Sequence, residues 1–242
     1  MSMVSFVKNF FDGSLIQVVL SDLSYHTSIE SLGRVLIKRV VWRNHSEEKK
    51  IALTFDDGPH SVYTPLILDA LKEHRAPATF FLIGKHLEQN KDIARRIAQE
   101  GHELANHTYS HRLMMRLSNT ELNNEIHSTH QLLTVFTGQT PRFLRPPMGL
   151  FSKRVLDAVE SAGYRTLVGD VYPRDSHRPG KNKIVKRILK RSQAGSIIIL
   201  HDGGNTEKVD RSQTVDAVKE IIPELKQRGF EFVTLSAMFK SN

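Results

Sequence analysis

At 242 residues, with 39% hydrophobic and 25% charged side chains, the chain has the length and balance of one sizeable domain that can bury a full core unaided. It contains no cysteine, which excludes disulfides, thiolate nucleophiles and cysteine-ligated metals. A formal net charge of +8 favours anionic partners such as phospholipid or an anionic polymer; nucleic acid is not expected, because no recognition motif accompanies the charge.

Residues 1–48 read as an N-terminal extension that packs on or precedes a domain over 49–242. Its apolar residues, among them Val4, Phe6, Val7, Phe10 and Phe11, are interrupted by Lys8, Asn9, Asp12 and Gly13. No run is long enough to span a membrane, and the order of basic, apolar and small residues that marks an export signal is missing. On sequence alone the expected location is cytoplasmic or membrane-peripheral, with surface contact to a membrane as a weaker alternative.

From residue 51 onward, short apolar runs alternate with segments of helical period. Strands are predicted over 51–55, 78–83, 103–105, 142–144, 165–168, 196–200 and 231–234. Helices are predicted over 64–74, 87–99, 120–136, 152–161, 184–190 and 214–227. Ser118 to Glu121 and Ser152 supply helix-start chemistry, while Gly101, Gly138, Gly163 and Gly229 stand where helices should stop. Repeated strand–helix units imply an α/β fold with a mainly parallel sheet, open or closed into a barrel. In such sheets the carboxyl ends of the strands form the working face. Asp56 and Asp57, Asn106 and His107, Arg145, Asp170 and His201 all fall at predicted strand ends.

Two adjacent carboxylates, Asp56 and Asp57, follow the first strand in LTFDDGPH, where the plain alternative is a solvated turn. His107 and His111, in HTYSH, stand four apart and would share a face on a helical turn, so both could reach one ion with Asp57 as third ligand. That pair alone is weak in a chain with 12 histidines. Two imidazoles and one carboxylate leave open positions on a divalent ion, as catalysis requires. One Asp can then ligate while its neighbour acts as base. A cation offsets their repulsion. Arg145, in RPPMG, could hold the free carboxylate through a bidentate contact, and the Pro146–Pro147 pair stiffens a loop whose next N–H groups could meet an oxyanion. His201 ends a strand and is a candidate general acid, with Asp175 on its second nitrogen. Lys181 to Arg191 form a basic helix face, ordinarily just solvated, alternatively a surface for an anionic polymer, lipid-linked sugar or membrane.

In order, LTFDDGPH, HTYSH, RPPMG, DVYPRDS and ILHDGG resemble the five motifs of the polysaccharide deacetylases, the NodB-like enzymes of carbohydrate esterase family 4, over about residues 50 to 238. The resemblance implies a distorted (β/α) barrel, usually seven-stranded. It implies removal of acetyl groups from N-acetylglucosamine-type glycans, peptidoglycan or chitin-like, with one divalent ion, zinc or alternatively cobalt or manganese. It assigns Asp56 as general base, Asp57, His107 and His111 as metal ligands, and Arg145 as the group orienting Asp56. It makes His201 the general acid tuned by Asp175, and sets Pro147 and the Met148 N–H beside the oxyanion. Ser176 stands where a Trp is frequent and Met148 where a Tyr is frequent, which weakens the expected stacking on a sugar ring. The family often acts outside the cytoplasm, so the cell envelope is a further expectation, with an anionic or lipid-linked glycan among the possible substrates. The alternatives are an O-acetyl esterase on xylan-like polymers and a sugar-binding barrel without turnover.

Overall fold

The computed structural model describes residues 39–138, 140–206 and 208–240. Most of the expected N-terminal extension lies outside them. Among these residues eight strands are interspersed with helices: β1 (Val40–Val41), β2 (Lys50–Gly58), α1 (Tyr63–Glu73), β3 (Ala78–Leu82), α2 (Gly84–Gln89), α3 (Lys91–Gln99), β4 (Glu103–Asn106) and α4 (Asn119–Thr137). There follow β5 (Phe143–Leu144), α5 (Lys153–Ser161), β6 (Arg165–Leu167), α6 (Lys181–Arg191), β7 (Ile197–His201), α7 (Ser212–Gln227), β8 (Glu231–Phe232) and a single-turn α8 (Leu235–Met238).

Every strand pairing is parallel, in the order β1-β6-β5-β4-β3-β2-β7, with β8 added to β2. Beyond β6, Val171 bridges to Ile198 of β7, so the curled sheet is brought round on itself. The result is a distorted (β/α) barrel. All seven predicted strands are present. β1, only two residues long and paired with β6, carried too little pattern to be foreseen.

Side-chain parity divides the core. Ile51, Leu53 and Phe55 of β2 face outward onto α1, α6 and α7, packing with Leu68, Ile188 and Ile221. Ala52 belongs to a separate cluster with Phe81, Ala105, Phe143, Leu167 and Ile197, and α8 closes that interior with Leu235 and Met238. Because the barrel is plugged at this end, the open ends of the strands are left for chemistry.

The predicted helix over 87–99 is two helices, α2 and α3, broken at Asn90 (φ −122°, ψ 48°). α4 begins at a capping box in which Ser118 and Glu121 serve each other's backbone N–H groups, and it ends at Gly138 with φ 65°. Ser152 caps α5 through the Val155 N–H. No helix among the described residues is long and apolar enough to cross a membrane.

Candidate active site

β2 runs three residues further than predicted and carries both carboxylates within it. Its register with β3 passes Asp56↔Phe81 and then jumps to Gly58↔Leu82, so Asp57 is an extra, bulged residue with φ 73°. In an unbroken strand Asp56 and Asp57 would face opposite sides of the sheet. The bulge turns both into one cavity of about 300 Å³. Two features hold it. The His86 ring Nδ1 donates to the Asp57 carbonyl at 2.9 Å. Gly203 approaches from the other side, so closely that a Cβ there would lie 2.2 Å from the same oxygen.

His107 and His111 do not lie on a helical turn, contrary to the expectation from their spacing. They sit on a loop after β4 in which Thr108 (φ 65°) and His111 (φ 55°) are left-handed. The loop still brings them together, with His107 Nε2 at 3.3 Å and His111 Nε2 at 3.2 Å from Asp57 Oδ1. His107 Nδ1 donates to the Arg145 carbonyl at 2.7 Å, which turns its Nε2 toward Asp57. Burial, then the neighbouring His107, pulls the His111 pKa down to about 4, so that ring is neutral near pH 7. Burial disfavours the charge on Asp57, but the His107 contact and the fields of His201 and His111 outweigh it and hold the carboxyl below its usual range.

Asp57 Oδ1 is buried and lacks a hydrogen-bond partner among the described residues. The ligand atoms of Asp57, His107 and His111 lie within 4.8 Å of one another. Two imidazole nitrogens and a carboxylate oxygen converging on one point fit a divalent cation.

Asp56 has a different neighbour. Arg145, 2% exposed, donates through Nη1 to Asp56 Oδ1 at 2.5 Å, with its guanidinium 4.1 Å above the Phe81 ring. The expected bidentate contact is not formed. Nε and Nη2 are buried without partners among the described residues, because the guanidinium is seated over Phe81 and only one nitrogen reaches the carboxylate.

Opposite, His201 ends β7 in register with Asp56. Its Nδ1 lies 2.9 Å from Asp175 Oδ1, while Asp175 Oδ2 accepts from the His201 N–H at 2.8 Å and the Thr214 hydroxyl at 2.9 Å. Burial opposes the charge on His201, but the Asp175 charge and hydrogen bond, aided by Asp57 and Asp56, push its pKa up to about 9.

Met148 reaches the same cavity from the turn Pro147–Gly149, with φ 59° and 59% of its surface exposed. The N–H groups of Gly149 and Leu150 are taken by the Pro146 and Pro147 carbonyls. Pro147 is buried beneath the turn and does not line the cavity. Two other strand-end residues are elsewhere. Asp170 accepts from Ile197 N–H and the Ser196 hydroxyl at the far end of β7, and Asn106 bonds the Ile126 carbonyl and Tyr164 hydroxyl.

Some cavity residues escaped the sequence reading. Tyr172 lines the wall, its ring centroid 6.0 Å from that of His201 in an edge-to-face arrangement and its hydroxyl 2.8 Å from Ser176 Oγ. An aromatic side chain therefore stands beside His201 even though position 176 is serine. DVYPRDS contained the signal, a tyrosine three residues before Asp175. The grip of His86 on Asp57 had none.

Residues 43–167 match the model of the family described as "Polysaccharide deacetylase". A peptidoglycan-N-acetylglucosamine deacetylase from Bacillus cereus is 40% identical over 203 residues, covering 83% of this chain and 93% of that protein. A chitooligosaccharide deacetylase from Bradyrhizobium is 38% identical over 202 residues, covering 79% and 92%. The crystal structure of the Bc1960 peptidoglycan N-acetylglucosamine deacetylase, in complex with 4-naphthalen-1-yl-N-oxidanyl-benzamide, superposes with a TM-score of 0.80 at 35% identity, covering 87% of this chain and 97% of that one. With the bulged aspartate pair, the two imidazoles and the His201–Asp175 pair set around one cavity, the chain belongs to the polysaccharide deacetylase family.

Proposed function

We propose that the protein is a metal-dependent hydrolase that removes the N-acetyl group from N-acetylglucosamine-type units of a glycan, peptidoglycan or a chito-oligosaccharide, and releases acetate. The observation that carries this is the division of labour between adjacent carboxylates: Asp57 faces two imidazoles and Asp56 faces one guanidinium, within one cavity.

Asp57, His107 and His111 would hold the ion, and two nitrogens with one oxygen favour zinc over harder cations. When bound, such an ion polarises a carbonyl and acidifies water. Asp56, aimed by Arg145, takes a proton from the attacking water. The Met148 N–H donates to the carbonyl oxygen as it gains charge. His201, its Nδ1 proton held by Asp175, gives its other proton to the departing sugar nitrogen. The C–N bond breaks, and amine and acetate leave. Residues 49–242 would form the catalytic domain, with β1 of the preceding segment added to its sheet, and a peptidoglycan substrate would put the protein at the cell envelope.

The test is acetate release from N-acetylglucosamine oligomers, peptidoglycan and acetylated xylan, before and after chelation of metal. N-acetyl sugars should be turned over, activity should vanish on chelation and return with zinc. Turnover confined to the xylan ester would overturn the N-deacetylase assignment; chelator-insensitive turnover would overturn the metal site.

A further inference from the structure

α4 passes behind the loop that carries His107 and His111, and one buried side chain joins them. Glu125, 7% exposed, accepts the Ser110 N–H on Oε2 at 2.7 Å and the Ser110 hydroxyl on Oε1. Ser110 immediately precedes His111 and stands within a stretch that has left-handed, non-glycine backbone at both Thr108 and His111. Such left-handed backbone is strained for a residue with a side chain and persists only where its surroundings over-determine it.

The other hydrogen bonds to the loop's backbone lie upstream of Ser110, while downstream the Arg112 side chain pairs with Glu121 of α4 at 3.0 Å. Gly84 N–H reaches the Thr108 carbonyl at 3.0 Å, Lys85 N–H the Tyr109 carbonyl at 2.9 Å, and Thr108 N–H the Asn106 Oδ1 at 2.8 Å. The two imidazoles also differ. His107 is aimed by its own ring, through Nδ1 to the Arg145 carbonyl. His111 Nδ1 is buried and has no partner among the described residues. Apart from Asp57 and the tilted His107 ring, centroids 4.9 Å apart, His111 is oriented by its backbone, and the nearest side-chain hold on that backbone is Glu125.

We propose that Glu125 is a positioning residue that fixes His111 through Ser110 and so sets the affinity of the Asp57–His107–His111 cluster for its divalent cation; this rests on the assignment of that cluster as a metal site. A carboxylate suits the task because its two oxygens take an N–H and an O–H at once. Glutamine can imitate this, accepting the N–H on its carbonyl and donating its amide to the serine oxygen. Alanine offers neither.

Zinc affinity of metal-stripped protein, measured by competition with a chromophoric chelator, reads the effect directly; thermal unfolding of the metal-free forms is the second readout. Glu125→Ala should raise the zinc Kd about 10–100-fold, Glu125→Gln should stay within about threefold of wild type, and Ser110→Ala should fall between. A folded Glu125→Ala protein with wild-type zinc Kd would overturn the proposal, since a role confined to fold stability lowers Tm alone. If Glu125→Ala does not fold, Ser110→Ala decides: an unchanged zinc Kd there overturns the proposal as well. Wild-type protein that binds neither zinc, cobalt nor manganese would instead remove the metal assignment and this inference with it.

Discussion

At His201, burial and charge act in opposite directions on one side chain, and the winner sets the working pH. Desolvation would leave the imidazole neutral, but Asp175, itself buried and bonded to His201 twice and to Thr214, outweighs it and carries the pKa up to about 9. A general acid must be protonated, so with a raised pKa it remains competent through neutral pH and fails as pH climbs through that value. Asp175→Asn removes the raising influence while burial persists. The alkaline limb of kcat/KM should then move to lower pH, by about 1–3 units. An unmoved limb would remove Asp175 from the proton chemistry. The pairing of His201 with Asp175 was legible in the sequence because both residues sit in short polar segments after apolar runs. The single-nitrogen contact of Arg145 was not, since it depends on Phe81, a residue on another strand whose apolar run gave no hint of a guanidinium above it.

Among the elements, the end of β2 carries most of the consequence. Alternation along a strand predicts that neighbouring aspartates diverge, and the sequence alone has no mark for a bulge that reverses this. The contact that requires it is Gly203 against the Asp57 carbonyl. Gly203→Ala should force the bulge outward, cost about 1–3 kcal/mol in stability, and lower zinc content of the folded fraction. Melting temperature and metal analysis on one preparation check this; normal values of both would show that the bulge tolerates the methyl group. The histidine pair is a related case. Spacing four apart suggested a helical turn, yet left-handed Thr108 and His111 fold the segment into a loop that achieves the same convergence by another route. The break between α2 and α3 was hidden because apolar residues keep helical spacing across Asn90. Capping chemistry, by contrast, is local, and Ser118, Ser152 and Gly138 act where their types predict.

Across the whole molecule, the fold was the most legible level. Seven apolar runs separated by helical segments specify parallel strand–helix units, and parallel pairing sends every strand end to one side. That is why residues as distant in sequence as Asp56, His107, Arg145 and His201 line one cavity. The exceptions are informative: Asp170 and Asn106 follow strands as well, but each is consumed by hydrogen bonds of the scaffold. α6 shows the same economy, with Ile184, Val185 and Ile188 buried as its spacing predicts, Lys181 paired with Glu220, and Arg187 bonded to the Pro173 carbonyl beside the site. The central claim is that two adjacent carboxylates have separate tasks, and it is tested most directly by measuring zinc content and acetate release on the same preparations of Asp56→Asn and Asp57→Asn. Asp56→Asn should keep its zinc while acetate release falls about 10²–10⁴-fold, and Asp57→Asn should lose both. Near-normal turnover by Asp56→Asn, or full zinc content in Asp57→Asn, would contradict it.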